Sequence, residues 1–443
     1  EEAMTDVTTN FANVLAAMTD NKYMQERAAD VKDVAKRALS HLLGKQLPDI
    51  ASISEPVVII AKEITPSDTS QMDAKFVKGL ATDLGGRTSH AAIMARTLRI
   101  PAVVGAEDVT STIKNGDMVI VDGLHGDIIV DPSQAQIDEY QAKADSFEKE
   151  RAEWAKLVDA PSVSKDGQHF EIAANIGTPD DVADALKQGA DGVGLFRSEF
   201  LYMSSDHLPT EDEQFEAYKK VLADMGGKEV IIRTLDIGAD KQVGYFDMPP
   251  EDNPALGLRA IRLCLTRPIL FQTQLCAILR ASRYGTVGIM FPMVTGPDEL
   301  HRLKQALADA EDVLIARGER FGPYRVGVMI ETPTAVFMSG ELAGEVDFFS
   351  IGTNDLTQYL LAMDRQNPNL APFCDPHHPA VLRAIRQTVE RAHQAGCTVG
   401  ICGELAADEA LTEAFLRLGV DELSVAPSRI LPLREKIRSL TLG

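Results

Sequence analysis

Apolar positions recur along the chain in patterns that change from one region to the next. In residues 1 to about 44 they recur at helical intervals, with one stripe formed by Phe11, Val14, Leu15 and Met18, so helices are predicted there. From residue 50 to 133, short apolar segments alternate with turns. These segments predict strands at residues 57–60, 76–81, 102–105, 118–123 and 127–130. The alternation indicates a compact α/β domain.

A charged stretch at residues 133–158 has a helical pattern, which predicts a helix connecting two domains. A long surface helix of either domain would have the same pattern. Beyond residue 165, short apolar strands alternate with longer helical stretches. The predicted strands are residues 170–176, 192–196, 230–235, 287–293, 326–330, 348–351, 399–402 and 423–426. Eight strands with helical stretches between them, and a final helix over 428–440, predict a (β/α)8 barrel.

Composition and charge narrow the range of partners and locations. The chain has 443 residues, of which 45% are hydrophobic and 25% are charged, and this is typical of a globular protein with two or three domains. Its formal charge of −22 argues against nucleic acid or an anionic membrane as a main partner, because both are bound through excess lysine and arginine. The five cysteines lack paired spacing, which fits a reducing cytosol. No signal peptide opens the chain, so we expect a cytoplasmic protein that is processed or truncated at its start.

A pair of glycines precedes a histidine at the start of a predicted helix. Gly85 and Gly86 allow a tight turn, and the residues after Thr88 favour a helix, so His90 is expected in its first turn. The unpaired backbone N–H groups and the helix dipole stabilise a negative group there. Because neutral imidazole is a nucleophile near pH 7, His90 is a candidate carrier of a phosphoryl group. The alternative is a half-buried histidine that completes a helix cap.

Reactive side chains follow several of the predicted barrel strands. In a (β/α)8 barrel the chemistry takes place at the C-terminal ends of the strands. The segments at these ends are Arg197-Ser198-Glu199, Arg233-Thr234-Leu235-Asp236, Glu331-Thr332-Pro333, Gly352-Thr353-Asn354-Asp355 and Cys402-Gly403-Glu404. Any one of them alone is equally compatible with an exposed loop. All five together indicate an active site at one rim.

The charged residues at this rim suit phosphate chemistry. Arg197 and Arg233 can each bind a phosphate or carboxylate through two hydrogen bonds. Glu331 and Asp355 are candidate ligands of Mg²⁺, which typically takes one or two carboxylates and completes its shell with water and phosphate oxygens. The alternative is that they are solvated loop acids.

Three further residues complete the candidate site. Asn354 can donate a neutral hydrogen bond to a phosphate, and Arg365 lies in a loop that can reach the same place. Cys402 ends an apolar strand, so burial is expected to raise its pKa and keep it protonated as an acid. For a single cysteine, ordinary core packing is the alternative.

Several long motifs follow one another along the chain. They are residues 85–105, 194–203 (GLFRSEFLYM), 233–238 (RTLDIG), 253–262, 289–293 (IMFPM), 347–359 and 402–406 (CGELA). In this order they resemble one enzyme family, Enzyme I of the bacterial phosphotransferase system. The resemblance covers residues 20 to 440. It implies that phosphoenolpyruvate gives its phosphoryl group to His90 with release of pyruvate, and that phosphohistidine then passes this group to the carrier HPr for sugar uptake.

The resemblance also assigns roles to the rim residues. Arg197, Arg233, Asn354 and Arg365 hold the phosphate, and Arg259 contacts the substrate. Glu331 and Asp355 ligate Mg²⁺, and Cys402 protonates the enolate at carbon. Members of the family are homodimers through the barrel, so a dimer is expected.

Four segments follow from the pattern and the resemblance together. They are a remnant of an HPr-binding helical region (1–48), a swivelling phosphohistidine domain (49–133), a helical linker (134–160) and a phosphoenolpyruvate-binding barrel (161–443). The family usually extends further at both ends.

Two other functions compete with this hypothesis. One is a related enzyme of the phosphoenolpyruvate synthase or pyruvate phosphate dikinase type, but no glycine-rich nucleotide loop is found in the sequence. The other is a catalytically silent phosphoenolpyruvate sensor, in which loss of His90, Cys402 or a metal carboxylate is expected. All of these residues are present.

Overall fold

The computed structural model describes residues 2–16, 31, 34–35, 38–39, 50, 53–64, 72–73, 75–86, 89–98, 100–238, 243–246, 248–365 and 367–443. It divides into two compact units, Glu1–Glu150 and Arg151–Gly443. The four predicted segments have different boundaries from these units and remain a prediction.

The first unit combines a small parallel sheet with a hairpin. Its strands are β1 (Val57–Ala61), β2 (Val77–Thr82), β3 (Ala102–Val104), β4 (Val119–Asp122) and β5 (Asp127–Val130), and its helices are α1 (Glu2–Ala16), α2 (His90–Leu98) and α3 (Val109–Thr112). Strands β1, β2 and β3 are parallel neighbours in that order, and β4 pairs with β5 in antiparallel register. Ala91 and Ala95 of α2 pack into a core with Val77 and Leu80 of β2. All five strands predicted for this region are therefore confirmed.

Helix α1 buries a narrower face than its apolar stripe suggests. Ala12 and Leu15 are buried and pack with Val31, whereas Phe11 and Val14 are each 55% exposed. Of the described residues of the predicted stripe, Leu15 is therefore the one that is buried, and it packs with Val31. Met18, the last member of the predicted stripe, lies outside the described residues.

A long helix, α4 (Gln134–Ala155), spans the boundary in sequence between the two units. None of its residues is buried, and this exposure explains why the helix is rich in charged side chains and has no apolar face. This helix confirms the one predicted over 133–158. The chain that follows it is fixed to the barrel by Arg434, a buried arginine that donates to the carbonyl oxygens of Leu157 at 3.0 Å and Val158 at 2.8 Å.

The second unit is a closed barrel of eight parallel strands. They are β6 (Glu171–Ile176), β7 (Val193–Arg197), β8 (Val230–Arg233), β9 (Val287–Phe291), β10 (Tyr324–Ile330), β11 (Phe348–Ile351), β12 (Thr398–Ile401) and β13 (Glu422–Val425). Each strand pairs with its neighbours in the chain, and β13 closes the barrel against β6. The predicted (β/α)8 architecture, joined through a helix to a smaller α/β domain, is confirmed.

Helices surround this barrel. They are α5 (Asp181–Lys187), α6 (Glu199–Met203), α7 (Glu211–Asp224), α8 (Ala260–Thr266), α9 (Pro268–Ala281), α10 (Pro297–Ala316), α11 (Pro333–Phe337), α12 (Ser339–Ala343), α13 (Thr353–Leu361), α14 (Pro379–Gln394), α15 (Glu409–Leu418) and α16 (Ile430–Ser439). Single 3₁₀ turns occupy residues 244–246, 254–256, 282–284, 368–373, 404–407 and 427–429. The final helix, predicted over 428–440, is therefore a 3₁₀ turn followed by α16.

The barrel is stabilised by two apolar layers. One lies between the strands and the helices, where all five residues of β9 are buried because apolar side chains alternate between two covered faces. The other fills the barrel interior, and it includes Met290, Met329, Phe348 and Cys402. The interior is thus a packed core, and the rim loops are free to carry chemistry.

In the parts of the chain that the structure describes, no helix combines the length and the apolar character needed to cross a membrane.

Candidate active site

The barrel brings the rim residues of the sequence analysis to one face. Arg197 and Arg233 end strands β7 and β8, Glu331 follows β10, and Cys402 follows β12. Asn354 and Asp355 lie in the first turn of α13, directly after β11. Because all eight strands are parallel, their C-terminal ends open on the same side of the barrel.

A chain of ion pairs links the arginines of this rim. Arg233 Nη1 lies 3.2 Å from Asp236 Oδ2, and Asp236 Oδ1 accepts a hydrogen bond from Arg259 Nη2 at 2.9 Å. Arg259 Nη2 also lies 3.3 Å from Asp355 Oδ2, and Asp355 Oδ1 lies 3.5 Å from Arg365 Nη2. The alternation of charges allows three arginines to approach one another around the mouth of the barrel.

The buried arginines keep their charge. Burial opposes ionisation of Arg233, but Glu199 and Asp236 outweigh it and raise the pKa of this arginine. In the same way Asp236 and Asp355 outweigh the burial of Arg259 and raise its pKa. The Nε atoms of Arg233 and Arg259 are buried and lack hydrogen-bond partners among the described residues. Both guanidinium groups thus retain donors for an additional acceptor.

The charge of Arg197 is compensated less, because Glu199 and Glu404 only partly oppose the lowering of its pKa. Arg197 is half-buried, and nothing in the described ranges forms an ion pair or a hydrogen bond with its side chain. Burial and the neighbouring charge of Arg233 lower its pKa. An arginine in a barrel mouth beside a second arginine, without an ion pair in the described residues, has donors available for an anion.

Two carboxyl groups form the acidic side of the site. Glu331 is 1% exposed, and its Oε1 accepts a hydrogen bond from the backbone N–H of Met293 at 2.7 Å. Burial, followed by the charges of Asp355 and Asp236, raises the pKa of Glu331 well above its usual range. Asp355 Oδ1 is buried and accepts no hydrogen bond from the described residues. Carboxyl groups this crowded are stabilised by a cation.

The second oxygen of Glu331, Oε2, packs closely against Gly352. It lies 2.9 Å from the position that a Cβ would occupy there, so a larger residue would collide with the carboxyl group. Within the described residues, no three histidine, cysteine, aspartate or glutamate side chains form a metal-binding group. The two-carboxylate set of Glu331 and Asp355 suits Mg²⁺, which commonly takes only one or two protein carboxylates.

Cys402 lies beneath this charged rim in the apolar interior. It is 2% exposed, and burial raises its pKa to about 11, with Glu331 adding to the rise and Arg233 opposing it. The thiol is therefore protonated at neutral pH, as the sequence predicts. Asn354 lies close to the same turn, since its Oδ1 accepts a hydrogen bond from the N–H of Glu404 at 2.9 Å. Its amide group remains the donor for a ligand.

His90 begins helix α2 in the first unit, which confirms its predicted place in a first helical turn. The loop before it is firmly held: Leu84 N–H donates to the carbonyl of Lys62 at 2.9 Å, and Asp83 accepts hydrogen bonds from Thr110 that lower the pKa of Asp83. Ser89 Oγ accepts from Ala92 N–H at 3.4 Å and caps the helix. Arg87 and Thr88 lie outside the described residues, and so does the side chain of His90.

Sequence reasoning gave no role to two acidic residues of the site, Glu199 and Asp236. Both are 1% exposed, and both pair with Arg233. Each stands at the end of a predicted strand near an arginine, which is a signal of a buried ion pair. That both acids pair with Arg233 becomes clear only from the distances between their carboxylate oxygens and its guanidinium nitrogens.

Comparison with known proteins shows the family to which the chain belongs. Residues 151–442 match the family model of the PEP-utilising enzyme, PEP-binding domain, and residues 53–126 match the PEP-utilising enzyme, mobile domain. The phosphoenolpyruvate-protein phosphotransferase of Bacillus subtilis (strain 168) is 52% identical over 442 residues, covering 100% of this chain and 77% of that protein. The protein of the same name from Staphylococcus aureus is 49% identical over 440 residues, covering 99% of this chain and 77% of the relative. The chain therefore belongs to the family of the phosphoenolpyruvate-protein phosphotransferases.

Proposed function

We propose that this chain transfers the phosphoryl group of phosphoenolpyruvate to His90, with release of pyruvate, and then passes it to the carrier HPr. The names of its relatives support the reaction class. The single observation that carries the proposal is the guanidinium of Arg197, which lies beside Arg233 and forms no ion pair or hydrogen bond within the described residues. A phosphate or carboxylate group of the substrate supplies the anionic partner that this side chain does not have there.

The arginines hold and orient the anionic substrate. Arg197, Arg233 and Arg365, with the amide group of Asn354, bind the phosphate, and Arg259 contacts the other end of the molecule. In transfer, the bond between phosphorus and the enol oxygen breaks while a bond between phosphorus and a ring nitrogen of His90 forms. Positioning and charge neutralisation are the main contributions a protein makes to such a step.

Glu331 and Asp355 would hold Mg²⁺, which neutralises charge on the phosphate oxygens when it is bound. The described residues fit this ion, because Asp355 has an oxygen without a hydrogen-bond partner and Glu331 resists ionisation beside two other acids. Removal of divalent metal with a chelator is therefore part of the test below.

Cys402 completes the reaction. Its thiol gives a proton to carbon 3 of the enolate, so that pyruvate forms, and the thiolate regains a proton from solvent. The raised pKa of about 11 keeps the proton available at neutral pH. His90 has to reach the barrel to be phosphorylated and then, as phosphohistidine, face HPr, so residues 49–133 swivel about the helical linker. A cytoplasmic homodimer, joined through the barrel, completes the proposal.

Incubation with phosphoenolpyruvate and Mg²⁺ tests this function. We expect one pyruvate per chain and a phosphate on the protein that is labile in acid and stable in alkali. Both signals disappear in His90→Ala and in wild-type protein treated with a chelator. In Arg197→Met, which removes the guanidinium group and keeps an unbranched apolar chain, both signals require far more phosphoenolpyruvate.

Two results separate this function from others. Binding of phosphoenolpyruvate without pyruvate release would indicate a sensor instead of an enzyme. Labelling that persists in His90→Ala would place the phosphate on another residue and contradict the proposed carrier.

A further inference from the structure

We propose that Asp236 is a positioning residue of the substrate site, which holds Arg233 and Arg259 in the one arrangement that fits phosphoenolpyruvate. This inference rests on the proposed function, since it concerns the same reaction. Asp236 is not itself expected to touch the substrate or the metal.

The geometry places Asp236 between the two arginines. Its Oδ2 lies 3.2 Å from Arg233 Nη1, and its Oδ1 and Oδ2 lie 2.9 and 3.2 Å from Arg259 Nη2. The carboxylate is 1% exposed, and the two arginines are 6% and 2% exposed. Both carboxylate oxygens therefore contact guanidinium groups, and these contacts fix the carboxylate in one orientation.

The backbone fixes Asp236 from both sides. It lies three residues after Arg233, the last residue of β8. Ala260, directly after Arg259, donates its N–H to the carbonyl oxygen of Ile237 at 3.1 Å. The segments that carry Asp236 and Arg259 are thus joined by a backbone hydrogen bond as well as by the ion pair.

Electrostatics argue for positioning over metal binding. Two buried arginines repel each other, and Asp236 contributes to keeping both charged. If Asp236 ligated a metal instead, it would give up contacts with one or both arginines, which would then lose a buried partner. Asp355 differs from Asp236 in that its Oδ1 is buried and accepts no hydrogen bond from the described residues, although it lies 3.5 Å from Arg365 Nη2.

Asp236→Asn keeps the shape of the side chain and removes its charge. We would measure phosphoenolpyruvate binding by calorimetry in a His90→Ala background with Mg²⁺, where the phosphoryl group cannot leave. We would also measure Mn²⁺ binding by electron paramagnetic resonance, with phosphoenolpyruvate well above each variant's dissociation constant. We expect phosphoenolpyruvate affinity to fall about 10- to 100-fold, as for other residues that orient a binding group, while Mn²⁺ affinity is unchanged.

The matched control is Glu229→Gln, which removes a carboxylate paired with Arg325 at the opposite end of the barrel. We expect it to bind phosphoenolpyruvate as the His90→Ala parent does. If Asp236→Asn fails to fold, Asp236→Glu takes its place: it keeps the charge but moves the carboxylate, so the inference still predicts weaker binding than in the parent.

Three results would overturn the inference. Unchanged or tighter phosphoenolpyruvate binding in Asp236→Asn, or in Asp236→Glu if that variant is needed, would show that the arginines hold their places alone. A loss of Mn²⁺ affinity with unchanged phosphoenolpyruvate affinity would make Asp236 a metal ligand. Absence of binding by the parent itself would reject the proposed function, and the inference with it.

Discussion

At the scale of residues, the two ends of the barrel differ in the sign of the charge that is left without an ion-pair partner among the described residues. The C-terminal rim holds Arg197 without an acidic partner. At the N-terminal end, Glu422 is half-buried and faces Glu171 and Glu229, with Arg325 as the nearby cation. Burial, followed by the charges of these glutamates, raises the pKa of Glu422 to about 8. The first arrangement attracts an anion, and the second makes the fold sensitive to pH.

Glu422→Gln is therefore expected to stabilise the protein in alkali. The folded chain retains a proton on Glu422 that the unfolded chain releases above its usual pKa of 4.5, so stability falls as pH rises from that value to about 8. The neutral glutamine avoids this loss. We expect a gain on the order of 1 to 2 kcal/mol at pH 8.5 and a smaller one at pH 5, measured by thermal unfolding.

Glu341→Gln, on the exposed surface of α12, controls for the substitution itself. An advantage of Glu422→Gln that shrinks as pH rises would contradict the sign of this prediction.

At the scale of elements, the loop after β8 places Arg259. Gly238 has φ of +117°, and a Cβ there would lie 2.5 Å from Arg259 Cβ. Ala260 adopts φ of +49°, an uncommon conformation for a residue with a side chain. Two unusual backbone conformations therefore lie on either side of Arg259, the residue directly before α8, and strain of this kind concentrates at binding sites.

Gly238→Ala is expected to displace Arg259. Gly318 offers a matched control, because its φ is +71° but nothing lies within 4 Å of the Cβ position. Gly318→Ala should cost about 1 to 2 kcal/mol in stability through backbone strain, measured by thermal unfolding. Gly238→Ala should cost more, because its Cβ would also collide with Arg259. Gly238→Ala should also raise the phosphoenolpyruvate concentration for half-maximal pyruvate release by about tenfold or more, since small displacements in a site are costly. Equal substrate requirements in the two variants would exclude this role for the loop.

The elements themselves were largely predictable from sequence. Runs such as Val287–Phe291 are too apolar and too short for anything but buried strands, and their regular spacing indicated a closed barrel. Arg197 and Cys402 were predictable as site residues because each ends such a run. Arg259 was assigned from the family resemblance, since it lies far along the loop from β8. Asp236 and Glu199 were given no role, because buried partners of an arginine are recognised by distance and not by periodicity.

At the scale of the whole molecule, the chemistry is divided between two units. His90 belongs to the first unit, and the arginines, carboxylates and thiol belong to the second. Each unit has its own apolar core. The proposed reaction therefore depends on transfer of the phosphoryl group from one unit to the other, and the residue that receives it is the central claim.

Peptide mapping after reaction with phosphoenolpyruvate and Mg²⁺ tests this claim most directly. Trypsin cuts after Arg87 and Arg96, so the peptide of residues 88–96 contains His90 as its one histidine. Mass spectrometry at alkaline pH should find one added phosphoryl group on this peptide, in an amount that matches the pyruvate released. A phosphoryl group on any other peptide, or pyruvate release without phosphate on residues 88–96, would contradict the role of His90.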